Sequence, residues 1–117
     1  GYEVGETIQR LQRESPSVFI GRCATHILKD NPGVLRVFIY SSDEKKRIRR
    51  IVETENVSES EAKKMMDKRD KARRNYFRFW TQKDWADRGN YDMELNTSVL
   101  STDECAKILL YAMGKQD

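Results

Sequence analysis

Arg69, Asp70 and Arg73 lie in DKRDKARRNYFRFW, residues 67–80, a stretch that combines cations with aromatic rings. On a helix advancing about 100° per residue, Ala62, Met65, Met66, Tyr76, Phe77 and Trp80 gather on one side. Arg69 and Arg73 fall in the middle of that apolar stripe, with Asp70 at its edge. Lys64, Lys68, Lys71, Asn75 and Arg78 take the opposite side. Taking an unpaired arginine out of water costs several kcal/mol, which a small domain cannot lose twice. Three arrangements resolve the conflict. The stripe can open into a cleft near Arg69, the arginines can pair with Asp70 and other acids, or an anionic ligand can meet them. Each hydrogen bond to a charged group contributes about 1.5–3 kcal/mol, so a bound phosphate could offset the desolvation.

Three further positions carry similar chemistry. Gly21-Arg22 follows the apolar run SVFI (17–20). Gly21 permits close backbone approach, and Arg22, read as the start of a helix, adds a bidentate grip where free N–H groups already favour an anion. An ordinary exposed helix-start arginine fits the spacing equally well. Arg47, Arg49 and Arg50 lie on the helix after the clearest strand, with Arg47 and Arg50 flanking Ile48, Ile51 and Val52. Charge runs usually mark a solvated face, yet a guanidinium plane can also stack on a base. Asn96-Thr97-Ser98 ends a strand, the end at which open parallel sheets bind ligands, although turn residues are common there.

These residues need elements to place them. The spacing of Val4, Ile8 and Leu11 predicts a helix over 4–14, ended by Pro16. SVFI predicts a short buried strand, GRCATHILKD (21–30) a helix, and Asn31-Pro32-Gly33 a turn. VLRVFIYS (34–41) is the clearest strand, and EKKRIRRIVETE (44–55) a helix. Ser58-x-x-Glu61 is a capping box opening the arginine-bearing helix, which runs to about Trp80. Residues 81–90 read as a loop, 91–98 as a third strand, and Ser101-x-x-Glu104 as a capping box for a last helix. Strands separated by helices imply a parallel sheet with right-handed crossovers, hence an α/β fold. With three strands and a helix at the start, the segment reads as the larger part of such a domain, without its beginning.

Composition narrows the classes. A chain of 117 residues predicts one domain with a modest core. No apolar run approaches the roughly 20 residues of a membrane span, and no signal peptide is visible, so cytoplasm is the expectation. The 22 Lys+Arg are balanced by 19 Asp+Glu, which argues against a protein that mainly coats nucleic acid. The bases nevertheless cluster in 45–50 and 63–78. Cys23 and Cys105 lack C-x-x-C spacing and His26 is the single histidine, so no metal site is assigned and both thiols read as reduced and partly buried.

The order of these pieces resembles the cytidylate kinase-like group of P-loop nucleoside monophosphate kinases, from about Ser17 to Leu110. The resemblance rests on Gly21-Arg22 after a strand, the R-I-x-R helix at 47–50, the R-D-x-x-R of 69–73, and W-x-x-x-x-N-Y-D from Trp85 to Asp92. It implies a three-layer parallel sheet with flanking helices, incomplete at the N-terminus, forming a single domain over 1–117. Residues 58–90 would be its helical lid and following loop. It also implies ATP and Mg²⁺ as the donor system, with CMP or a similar monophosphate as acceptor. Arg22, with Gly21, would grip the acceptor phosphate. Arg47 would lie by the adenine and Arg50 near the ATP phosphates. Arg69 and Arg73 would close over the reacting phosphates, Asp70 would orient them, and Thr97 with its neighbours would sit beside the adenine.

Two departures qualify the resemblance. No G-x-x-x-x-G-K-[ST] occurs in the 117 residues, so the phosphate cradle, its lysine and the metal-holding hydroxyl are missing from them. Taken alone, these residues are not expected to transfer phosphate at a useful rate. The main cytidylate kinases also carry an aspartate after Gly-Arg, where this chain has Cys23, a poor acceptor that leaves cytidine preference open. Two alternatives remain: a non-catalytic nucleotide-binding homologue, or a basic helical module holding nucleic acid through 45–50 and 63–78. For the second, Tyr76, Phe77, Phe79 and Trp80 would offer stacking surfaces, but their spacing predicts core packing for most of them. The sequence specifies no oligomeric state.

Overall fold

VLRVFIY alternates as a half-covered strand must. Leu35, Val37 and Ile39 are buried, while Arg36, Phe38 and Tyr40 point to the other face and stay partly exposed. The structure is a computed structural model, which describes residues 2–14, 16–22 and 33–114. Its elements are α1 (Tyr2–Glu14), β1 (Ser17–Arg22), β2 (Val34–Tyr40), α2 (Glu44–Glu55), α3 (Glu59–Thr81), a 3₁₀ turn (Arg88–Asn90), β3 (Met93–Asn96) and α4 (Thr102–Ala112). They form two compact units, one built around the sheet, up to Ser42 and again from Tyr91, and one of Asp43–Asn90.

In the sheet unit the strands run in the order β1-β2-β3. The expected all-parallel sheet is corrected here. β1 lies antiparallel to β2, from Ser17 opposite Ile39 to Arg22 opposite Val34, and only β2 and β3 are parallel. The apolar run continues through Gly21 and Arg22 as strand, so Arg22 ends β1 and does not start a helix. Alternation of helix and strand along the chain does not fix strand direction, and an antiparallel pair needs no crossover helix. The remainder of the helix expected over 21–30, with Cys23 and His26, lies outside the described residues.

The core sits on one face of this sheet. Ile8 and Leu11 of α1 and Cys105, Leu109, Leu110 and Met113 of the α4 region cluster with Leu35, Val37, Ile39 and Leu95. The three-layer expectation is thus reduced to two layers among the described residues of this unit. The opposite face carries Val18, Ile20, Arg36, Phe38 and Tyr40, and Ile20 is 61% exposed. Ser101 accepts from the Glu104 N–H and Glu104 accepts from the Ser101 N–H, the reciprocal capping box that starts α4.

The helical unit pairs α2 with α3. Asp43 caps α2 by accepting from the Lys46 N–H, and Asn56 closes it in the left-handed region at φ 55°. Ser58 then caps α3 by accepting from the Glu61 N–H at 3.1 Å. Ala62 and Met66 of the predicted stripe are buried, but Tyr76 and Trp80 are not, a correction to the expected core packing.

Candidate functional site

Asp70 organises the arginines. Its carboxylate accepts two hydrogen bonds from Arg47, at 3.0 and 2.7 Å, and one from Arg73 at 2.9 Å. The Arg47 and Asp70 side chains keep only 20% and 25% of their exposure, so this bidentate pair is better shielded than a surface ion pair worth about 0–1 kcal/mol. One carboxylate thus holds two guanidinium groups together. Arg69 is held elsewhere, donating to Glu55 at 3.0 Å in a more exposed pair. Of the three arrangements open to the stripe, internal pairing is therefore present for both arginines: Asp70 serves Arg73 and Glu55 serves Arg69. Arg50 is half-buried on α2, and its carbonyl accepts the Thr54 hydroxyl.

The end of α3 repeats the motif with another acid. Asp84 accepts from Arg74 at 3.0 and 2.6 Å and from Arg78 at 2.8 Å. Hydrogen bonds from Arg74, then from the Ala86 N–H, with the nearby arginine charges, bring the Asp84 carboxyl down to about 2. Asn90 donates to the Asp84 carbonyl at 2.7 Å, so the Asn of W-x-x-x-x-N-Y-D ties back the turn after α3, and its Trp, Trp85, is buried.

In the sheet unit, Gly21 is buried, and a Cβ there would collide with the Met113 sulfur and lie 2.9 Å from Phe19 Cε1. Its lack of a side chain serves strand–helix packing. Arg22 is exposed at the end of β1. Thr97 is buried, donating its N–H and its hydroxyl to the Tyr40 carbonyl at 2.7 and 3.1 Å. Beside it, Asn96 Oδ1 accepts from the Ser42 N–H, the Ser98 N–H and the Ser98 hydroxyl. Asn96 Nδ2 donates to Ser42 Oγ, which lies 2.8 Å from Ser98 Oγ. This polar knot marks the carboxyl ends of the parallel pair β2 and β3, where α/β sheets bind ligands. Asp92 accepts from the Arg36 backbone N–H and from its guanidinium, which lowers the Asp92 carboxyl and raises Arg36.

The predicted residues thus divide between the units: Gly21, Arg22 and Thr97 in one, Arg47, Arg50, Arg69, Asp70 and Arg73 in the other. Within the second, the structure joins Arg47, Asp70 and Arg73. Sequence reasoning passed over Glu55, Asp84 and the Arg36–Asp92 clamp. The polar Arg36 inside an apolar strand was a signal that an acid must face it; Arg74 and Asp84 have no spacing that points to their pairing. Among the described residues no group of three or more His, Cys, Asp or Glu side chains could hold a metal ion, and no helix is long and apolar enough to cross a membrane.

The model of the cytidylate kinase-like family matches residues 3–99. The chain belongs to the cytidylate kinase-like family. Among solved structures, an uncharacterized protein from Eubacterium ventriosum ATCC 27560 is 32% identical to it with a TM-score of 0.64. That likeness covers 82% of this chain and 59% of the other, so this cytidylate kinase-like chain spans less than two thirds of that protein. No curated protein matches the chain.

Proposed function

We propose that the protein carrying this chain is a nucleotide phosphotransferase that moves the γ-phosphoryl group of ATP to a nucleoside monophosphate such as CMP. Family membership supports the reaction class. The observation that carries the site is Asp70, whose carboxylate accepts from both Arg47 and Arg73 and so holds the two guanidinium groups together. Phosphoryl transfer asks a protein mainly to align two anions and stabilise the charge on the transferring group. Arg73 and Arg69 would supply that charge, Asp70 would orient Arg73, and Arg47 and Arg50 would face ATP. Arg22, exposed at the end of its strand, would meet the acceptor phosphate. Thr97, with Asn96 and Ser98, would act through its position beside the adenine, since its hydroxyl is committed to Tyr40. Mg²⁺ would assist at the phosphates, and among the described residues no group of three or more His, Cys, Asp or Glu could hold it. The donor-phosphate loop is likewise not among the 117 residues.

The same ion pairs favour a second reading. Because Arg69 and Arg73 already have carboxylate partners, the chain does not need a nucleotide to neutralise them, and a non-catalytic nucleotide-binding homologue satisfies the geometry. A coupled assay of ADP release with ATP, Mg²⁺ and CMP, run beside calorimetric titration, separates the two. For the transferase, Arg73→Ala lowers kcat about 10²–10³-fold, as loss of a transition-state donor does. Nucleotide binding without turnover in the wild type supports the homologue. Unchanged rate and affinity in both Arg69→Ala and Arg73→Ala overturn the site.

A further inference from the structure

The last turns of α3 place three large rings in solvent: Tyr76 is 68% exposed, Phe79 69% and Trp80 66%. They form a contiguous patch, with Trp80 edge-on to Phe79 at 5.1 Å and to Tyr76 at 6.1 Å. Around them the chain is rich in cations. Residues 68–84 contain seven Lys or Arg against two acids, Asp70 and Asp84. These acids and Glu55 pair with Arg69, Arg73, Arg74 and Arg78, so Lys68, Lys71 and Lys83 are the cations outside those ion pairs. The whole helical unit carries 15 Lys+Arg against 10 Asp+Glu, a formal +5, whereas the rest of the chain carries 7 against 9. Tyr76 and Trp80 also continue the stripe of Arg69 and Arg73, so cation and ring recur about every helical turn of roughly 5.4 Å along one side.

We infer that this end of α3 binds single-stranded nucleic acid, with bases stacked on Tyr76, Phe79 and Trp80 and backbone phosphates met by the neighbouring arginines and lysines. The partner must be anionic, to match the charge, and must offer flat apolar faces, to cover the rings; single strands offer both in alternation. A membrane surface fits less well. An interfacial helix separates a long apolar face from a cationic one, and here the exposed ring patch spans barely two turns before arginines interrupt the same face. The inference stands independently of phosphoryl transfer.

The test uses fluorescence anisotropy with a labelled single-stranded RNA of about twelve nucleotides and mixed sequence, at about 50 and 200 mM salt. The expected result is binding that weakens about tenfold or more across that range. Tyr76→Ala with Trp80→Ala should weaken it at least tenfold more, and Trp80→Phe should retain most of it. Because these rings are exposed, the denaturation midpoint should not move in any variant, so loss of binding is not loss of fold. No binding at about 50 mM salt overturns the inference. So does salt-sensitive binding indifferent to the rings, which would be charge alone, and so does capture by phosphatidylserine vesicles with no affinity for the RNA.

Discussion

Asp70 explains why a helix with a spare wet face carries arginines on its apolar one: the acid at the stripe's edge and Glu55 of α2 supply the missing charge. The i, i+3 spacing of Asp70 and Arg73 made half of this legible. The bidentate partner Arg47, 23 positions away, was readable only as one of several arginines on a neighbouring helix. Replacing Asp70 with Asn removes a carboxylate that accepts from both partly shielded guanidinium groups. The expected loss is about 1–3 kcal/mol, lower than for a fully buried pair because a quarter of the side chain remains exposed. Urea denaturation checks it, and Arg47→Ala added to Asp70→Asn should cost much less than the two single changes together. Full additivity would mean that the two residues do not act as a pair.

At the scale of elements, the helices were the legible part. Helix α2 matches its predicted bounds, and both capping serines sit at the helix starts they announce. The strands were less so. SVFI gave no sign that it would extend through Gly21 and Arg22, because glycine after an apolar run ordinarily signals a break. The structural reason for the glycine comes from α4, whose following Met113 occupies the space a side chain would need. Gly21→Ala should therefore destabilise the sheet unit by about 1–3 kcal/mol through overpacking, and Met113→Ala should relieve part of that cost in the double variant. Ser101→Ala, by contrast, removes one side of the α4 capping box and should cost about 1 kcal/mol. No rescue by Met113→Ala would contradict the packing argument. The exposed rings of α3 were missed for a related reason: helical periodicity shows which residues share a face, not how far along the helix a partner covers it.

Across the whole molecule, Asp84 at the end of α3, Asp92 on Arg36 and Glu104 in the α4 capping box are carboxyls that the hydrogen bonds they accept hold below the usual carboxylate range. The sign follows from linkage. A carboxyl that is more acidic folded than unfolded contributes stability that is fully present above its unfolded value near 4 and is lost as pH falls through the folded value. For Asp84 that window runs from about 4 down to about 2. Stability should hold steady from neutral pH to about 5 and then fall, in the helical unit through Asp84 and in the sheet unit through Asp92 and Glu104. Both tryptophans, Trp80 and Trp85, lie in the helical unit, so their fluorescence reports it, while amide exchange along β2 and α4 reports the sheet. Asp84→Asn should flatten the acid dependence seen by fluorescence and leave the exchange-detected dependence in place. Flattening of both signals alike would show that the Arg74–Arg78–Asp84 cluster governs the entire chain and that the two units do not respond to acid separately.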